Sequence, residues 1–309
     1  MIKSVLLSTL SLFSVSVSAM ERDSLSQYNH KYMPLNDEDD DESGQSASES
    51  EFPAHPEPKD QENAELKKVG NNSDESVAIQ MYHLGRSHYL AKTSSKELKE
   101  KNLQTARFYL TQAAQKGQPD AMNLLGEMWE RGEGGYVDLF EAEKLYSLAM
   151  DGGVHEAKLN LANLYFNGGE NIQNKFHPNK KFQPNIDKAI KLYEEAAEQG
   201  DLRGEYGLAR AHFKSRVYGK AIPSFVKICQ SDQAERVLGK LVLGQAKTAL
   251  ANLYWLKGYG SFRDAEQLYE QAIALGSKDA PVKLKELRQA MAKKNKKDGG
   301  QPYSALGAN

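Results

Sequence analysis

One helical frame recurs five times in this chain, and its spacing constrains the fold more than any composition figure. In KAIKLYEEAAEQG, residues 188–200, Ala189 is followed by Tyr193 at +4, Ala196 and Ala197 at +7 and +8, and Gly200 at +11. The frame also starts at Ala106 (Leu110, Ala113, Ala114, Gly117), Ala142 (Tyr146, Ala149, Met150, Gly153) and Ala265 (Tyr269, Ala272, Ile273, Gly276). A worn copy starts at Ala221, with Phe225, Ile228 and Cys229, and has Asp232 where the glycine belongs. These positions fall along one side of a helix of 3.6 residues per turn. The stripe is narrowed by small residues, which let a neighbouring helix approach closely. The glycine suits the left-handed residue that ends a helix and lets the chain turn.

Upstream of each copy lies a second pattern: a leucine, a small residue, then a ring three further on. Its copies are Leu84, Gly85, His88; Leu125, Gly126, Trp129; Leu161, Ala162, Tyr165; Leu208, Ala209, His212; and Leu250, Ala251, Tyr254. The alanine of one frame and the small residue of the next unit stand 20 residues apart three times running, 106 to 126, 142 to 162 and 189 to 209. A constant step means a constant geometric joint, which an ordinary helical bundle does not require. Asp138 with Glu141, and Ser261 with Asp264, mark helix starts in the manner of capping boxes. Each unit therefore reads as helix A, loop, helix B and glycine turn. One such unit cannot bury its apolar face alone, but stacked units share a continuous core. The expected fold is all-α, an α-solenoid of about five helix-turn-helix repeats over residues 76–294, closed by a capping helix from about 279 to 294.

The residues of this frame resemble the Sel-one-like repeats of the tetratricopeptide superfamily: A-x-x-x-L-G-x-x-Y, a glycine-rich loop, then D-x-x-x-A-x-x-x-Y-x-x-A-A-x-x-G. The matches are clearest over Ala121 to Gly153, with the loop RGEGGYVD at 131–138, and in ALANLYWLKG (249–258) and DAEQLYEQAIALG (264–276). The resemblance implies a scaffold for protein assembly, of a kind often bacterial and exported. Two features depart from the pattern: unit four lacks its turn glycine and has Pro223 inside helix B, and the loop of unit three is long.

The ends of the chain are of other kinds. Residues 1–19, MIKSVLLSTLSLFSVSVSA, carry one lysine, an apolar stretch and small residues Val17 and Ala19 before Met20, the pattern of a secretory signal peptide. The apolar core is shorter than the roughly 20 residues of a membrane span. Export to the periplasm or beyond is therefore expected, with no transmembrane span after signal removal. Residues 20–75 hold sixteen acidic and five basic side chains, including DEDDDE at 37–42, and few bulky apolar groups. Such a segment buries too little surface to offset ordering entropy and is expected to be disordered. Residues 76–309 carry 34 basic and 26 acidic groups, so the acidic arm could fold back on them as an electrostatic cover. Cys229 is the only cysteine, so no internal disulfide exists, and its frame position implies burial. Residues 295–309 read as a disordered tail, following a basic helix end with Lys293, Lys294, Lys296 and Lys297.

Two surfaces offer themselves for binding. The loop at 168–185 is about ten residues longer than its neighbours and holds Lys175, Phe176, His177, Lys180, Lys181 and Phe182. Insertions of this kind map to one face of a solenoid, often the binding face. Its rings and ammonium groups suit an acidic peptide or an anionic polysaccharide. The second surface is the row one step past each small residue of helix A: Arg86, Glu127, Asn163, Arg210 and Asn252, expected to face a concave groove. Its mixed charge fits protein, and nucleic acid would want a consistent basic stripe. The chain shows no HExxH, GxSxG, phosphate loop, CxxC or paired-cysteine metal spacing, so no catalytic residue, cofactor or metal is expected. The functional expectation is an exported scaffold or adaptor that binds protein partners in a bacterial cell envelope. The alternatives are an exopolysaccharide or cell-wall assembly factor that contacts glycan, and an envelope hydrolase.

Overall fold

The turns are built as the glycine spacing predicts. The computed structural model of the chain describes residues 74–169, 172, 175–258 and 260–297. The expected leader at 1–19, the acidic segment as far as residue 73 and the tail from 298 lie outside them. Among the described residues are twelve helices and no strand. They are α1 Asp74–Tyr89, α2 Lys96–Gln115, α3 Pro119–Arg131, α4 Leu139–Asp151, α5 His155–Asn167, α6 Ile186–Glu198, α7 Leu202–Lys214, α8 Tyr218–Gln230, α9 Ala234–Leu238, α10 Lys240–Leu256, α11 Phe262–Ala274 and α12 Ala280–Lys297. The fold is an α-solenoid whose packed helix pairs are α1/α2, α3/α4, α5/α6 and α10/α11, with α7 and α8 as the helices of unit four and α12 packed on α11 as the terminal cap. The helices divide into two bodies, one ending at Ser224 and the other starting at Phe225, with the division inside α8.

In the first body the turns after α2, α4 and α6 share one geometry. Gly117, Gly153 and Gly200 take φ of 84°, 88° and 82°. The amide after each glycine then donates back to the carbonyl of the frame's +7 alanine, Ala113, Ala149 or Ala196, at 3.0–3.1 Å. This pairing satisfies carbonyls that a helix end otherwise leaves open. The frame alanines and rings Ala106, Leu110, Ala113, Ala142, Tyr146, Ala189, Tyr193 and Ala196 are all essentially inaccessible and form one core with Leu125, Met128 and Trp129. Close approach explains the small residue of helix A: a β-carbon on Gly126 would lie 2.8 Å from Tyr146 Cε1. Asp138 caps α4 by accepting the Phe140 and Glu141 amides at 3.0 and 3.2 Å. The short α7–α8 connection makes the same turn with Arg216 at φ 60°, in the left-handed region without a glycine.

The second body packs Ala251, Ala265, Tyr269 and Ala272 against Ala280, Leu284 and Leu287 of α12. Ser261 and Asp264 form the reciprocal capping box at the start of α11. Gly276, at φ 88°, repeats the turn, with Ser277 N–H donating to Ala272 O at 2.9 Å.

Unit four departs further from the repeat, and two expectations are corrected. The step from Ala221 to Ala251 is 30 residues, and the added stretch contains the short helix α9. With aspartate at 232 the turn after α8 has no left-handed residue; the chain continues into α9, and the next left-handed residue is Gly239, φ 81°. The cap helix runs to Lys297, beyond the expected end at 294, because no glycine or proline interrupts it before Gly299. Cys229 is half-buried, and Ile228 beside it is fully enclosed. No helix among the described residues is long and apolar enough to cross a membrane.

Candidate functional site

The long loop of unit three is the short loop of unit two with an excursion inserted between the same closures. In unit two the Asp138 amide donates to Trp129 O at 3.0 Å. In unit three the Asn185 amide donates to Tyr165 O at 2.7 Å, and Gly169 N–H donates to Phe182 O at 2.7 Å. The excursion is thereby pinned at its base, and its tip returns to unit two.

The unit-two loop is held from beneath by Arg107 of α2, which is 1% exposed. Its guanidinium lies 3.6 Å from the centre of the Trp129 ring and donates to Glu133 O at 3.2 Å and Tyr136 O at 3.3 Å. Burial lowers its pKa to about 10, partly opposed by Asp138, so it is charged at neutral pH. Two glycines make room: a β-carbon on Gly135 would sit 2.6 Å from Arg107 Nη1, and one on Gly134 would sit 2.5 Å from Leu103 O. Thus the loop's backbone is fixed by one buried cation, and Tyr136 is presented outward, 55% exposed.

The tip of the unit-three loop packs onto this support. Phe176 meets Trp129 and Tyr136 edge-to-face, with ring centres 5.7 and 6.3 Å apart, and is 39% exposed. Lys175 Nζ lies 3.8 Å from the centre of the Tyr136 ring. Its hydrogen bond and charge lower the phenol's pKa. His177 sits against Phe140, centres 5.0 Å apart, with Nε2 3.8 Å from Asp138 Oδ2. Lys180 and Lys181 are exposed, with no ion-pair partner among the described residues. Phe182 departs from expectation: it is 6% exposed and wedged between Phe140 and Tyr165, so its ring belongs to the core and is closed to a ligand. The result is a platform of two exposed rings and a stacked ammonium, on a loop that also carries two exposed lysines.

The row on the A helices is differently occupied from what the sequence suggests. Asn163 accepts the Tyr193 hydroxyl and Asn252 the Tyr269 hydroxyl, both at 2.6 Å. Arg210 lies 4.3 Å from the centre of the Phe166 ring. Glu127 pairs with Arg131 at 3.1 Å and accepts from Asn123 and Asn160. Burial is the main cause that raises its pKa to about 7, with Arg131 opposing. Arg86 is half-buried. In units three and five the helix B tyrosine hydroxyl reaches the asparagine of the row, which is then committed to the joint, whereas in unit two the Tyr146 hydroxyl donates to Glu130. The row is therefore largely structural, and the loop platform is the more open surface.

Sequence reasoning missed Tyr136 and Arg107. The Gly134–Gly135 pair is the available signal, since two adjacent glycines in a loop indicate a close neighbour. Among the described residues no group of three or more histidine, cysteine, aspartate or glutamate side chains is placed to hold a metal. Burial pushes the Cys229 thiol up to about 11, so it is protonated at neutral pH and a poor nucleophile.

Comparison with known families matches the model described as "Sel1 repeat" to residues 81–118, 119–154 and 181–201. These segments are Sel1 repeats. The three matches take in units one and two and helix B of unit three with its turn, and leave out the loop tip and everything after residue 201. A Sel1 repeat protein from Oxalobacter formigenes, known from a crystal structure, is 22% identical over 71% of this chain and 79% of its own, with a TM-score of 0.48. A protective antigen of uropathogenic Escherichia coli with an SLR fold is 18% identical over 75% of this chain, with a TM-score of 0.41. The chain spans 56% of that antigen's length. No curated protein matches. Sel1 repeats generally mediate protein–protein interaction and are typically non-catalytic.

Proposed function

We propose that this chain is an exported scaffold of the bacterial cell envelope that holds protein partners through its Sel1 repeats, and that the unit-two/unit-three platform engages an acidic segment of such a partner. The observation that carries the reading is the buried Arg107–Trp129 pair beneath Tyr136 and Phe176. A buried guanidinium is an expensive way to shape a loop with no task. Here it pre-organises two exposed rings and an ammonium, which lowers the ordering cost of binding. The signal-like residues 1–19 support export, and the periplasm is the proposed location.

The test is capture of partners from envelope extract with the wild type and with the Tyr136→Ala/Phe176→Ala/Lys180→Glu/Lys181→Glu variant. All four side chains are at least about a third exposed, so helicity should persist. Removing the whole loop is a poor control, because Phe182 is core. Loss of the captured protein with unchanged circular dichroism is expected. Undiminished capture of the same protein would exclude the platform.

A second reading is favoured by the exposed Tyr136 and Phe176 rings: sugar faces stack on such rings, and an acidic polysaccharide would pair with the lysines. Retention on an acidic-glycan resin, lost in the same variant while protein capture is retained, would select it.

A further inference from the structure

We propose that the chain's own residues 28–42 occupy this platform and cover it until a partner's acidic segment competes. The inference rests on reading the platform as an acidic-peptide site, and it names the regulation of that site. Four observations converge on it.

The first is the division of charge: residues 20–75 carry a net −11 and residues 76–309 a net +8. The second is sequence order within the acidic segment. Tyr28, Tyr32, Met33 and Leu35 precede DEDDDE at 37–42, so apolar anchors are followed at once by a carboxylate run. The platform loop has a matching order, with Lys175 over the Tyr136 ring beside Phe176, and exposed Lys180 and Lys181 following four and five residues later in the chain.

The third is the state of the groups around the platform. Its carboxylates are engaged inside the fold: Asp138 caps α4, Glu133 and Glu141 lie 3.9 and 3.7 Å from Arg131 and Lys144, and Glu143 accepts from the Tyr165 hydroxyl. Lys180 and Lys181 have no such partner among the described residues. The fourth is reach. Glu42 precedes Asp74 by 32 positions, a length that spans about 30 Å even as a coil, comparable with a body of this size. Tethering at that length gives an effective concentration on the order of millimolar, enough to fill a weak site.

The experiment uses the full chain with Cys229→Ala and Asn36→Cys, the new thiol carrying a nitroxide, and reads relaxation enhancement of backbone amides. At low salt, broadening of residues 134–137 and 175–182 is expected. It should vanish near 1 M salt, where screening acts over about 3 Å, and in the Lys180→Glu/Lys181→Glu background. Broadening confined to α12, or absent throughout, overturns the proposal.

A second arm titrates a peptide of residues 28–42 against two full chains, the wild type and one with residues 37–42 changed to Asn and Gln. Binding at least about tenfold tighter to the neutralised chain supports self-cover. Equal binding to both overturns self-cover while leaving the platform as an acidic-peptide site. Binding to neither overturns both readings.

Discussion

Gly204 and Gly219 occupy the first turns of α7 and α8, and the same substitution at each should move stability in opposite directions. Alanine is the better helix former by up to about 1 kcal/mol, somewhat less near a helix end. At Gly219 an added β-carbon meets no atom within 4 Å, so only the propensity gain applies. At Gly204 the new carbon would lie 2.6 Å from Ala196 Cβ, 2.9 Å from the Ala197 amide nitrogen and 3.0 Å from the Ala196 carbonyl carbon. Carbon contacts settle at about 3.5–4.0 Å, so α6 and α7 must separate by about 1 Å at their closest point. Two of the three obstacles are backbone, which cannot rotate aside. Overpacking of this kind costs about 1–3 kcal/mol, which exceeds the propensity gain and leaves a net loss of about 1–2 kcal/mol. At about 2–4 °C per kcal/mol for a chain of this size, Gly204→Ala should melt about 2–8 °C lower and Gly219→Ala up to about 4 °C higher than wild type. Thermal melts followed at 222 nm read both. A Gly204→Ala protein as stable as the Gly219→Ala protein would show that the α6–α7 joint is not closely packed.

Ala196→Leu, at a fully buried position, should cost about 1–3 kcal/mol, while Glu194→Leu on the exposed face should be nearly silent; equal melts would displace the buried stripe. Arg216→Gly should stabilise by about 1 kcal/mol in urea titration, since φ 60° costs an L-residue about that much. Glu127 has a folded pKa near 7 against an ordinary 4.5. The folded state therefore binds this proton more tightly than the unfolded chain, and stability falls as pH rises through that window. Glu127→Gln removes the slope, so its advantage over wild type should grow by about 1–3 kcal/mol between pH 5 and pH 7.5. A constant difference would mean that the carboxylate ionises as if in water. Arg107→Lys keeps the charge but loses the fork that spans Glu133 O and Tyr136 O. It should shift Trp129 fluorescence and weaken binding at the platform while the other turns persist.

The architecture was legible because its joints are made by residue types with few other uses. A small residue at a fixed step, a ring four past an alanine and a glycine at +11 each answer a steric demand, and Gly126 against Tyr146 shows that demand in atoms. The short helix α9 was not legible, since five residues outside the frame carry no period. In the loops periodicity is silent too. Phe176 and Phe182 look alike in sequence, yet one ends on the surface and the other in the core, a choice made by the Gly169–Phe182 backbone bond. Spacing placed Asn163 and Asn252 on the A helices but could not tell that tyrosine hydroxyls from the B helices would take them. Arg107 was hidden for a related reason: inside helix B an arginine reads as solvated until the glycine pair above it is seen to need a partner.

The central functional claim, that partners are held at the Tyr136–Phe176 platform, is tested most directly by hydrogen exchange on the full chain with and without its captured partner. Slowed exchange at residues 133–138 and 175–182, with the α12 amides unchanged, is the expected result. Slowed exchange confined to α12 or to the exposed faces of the B helices, with the platform loops exchanging as in the free chain, would contradict it.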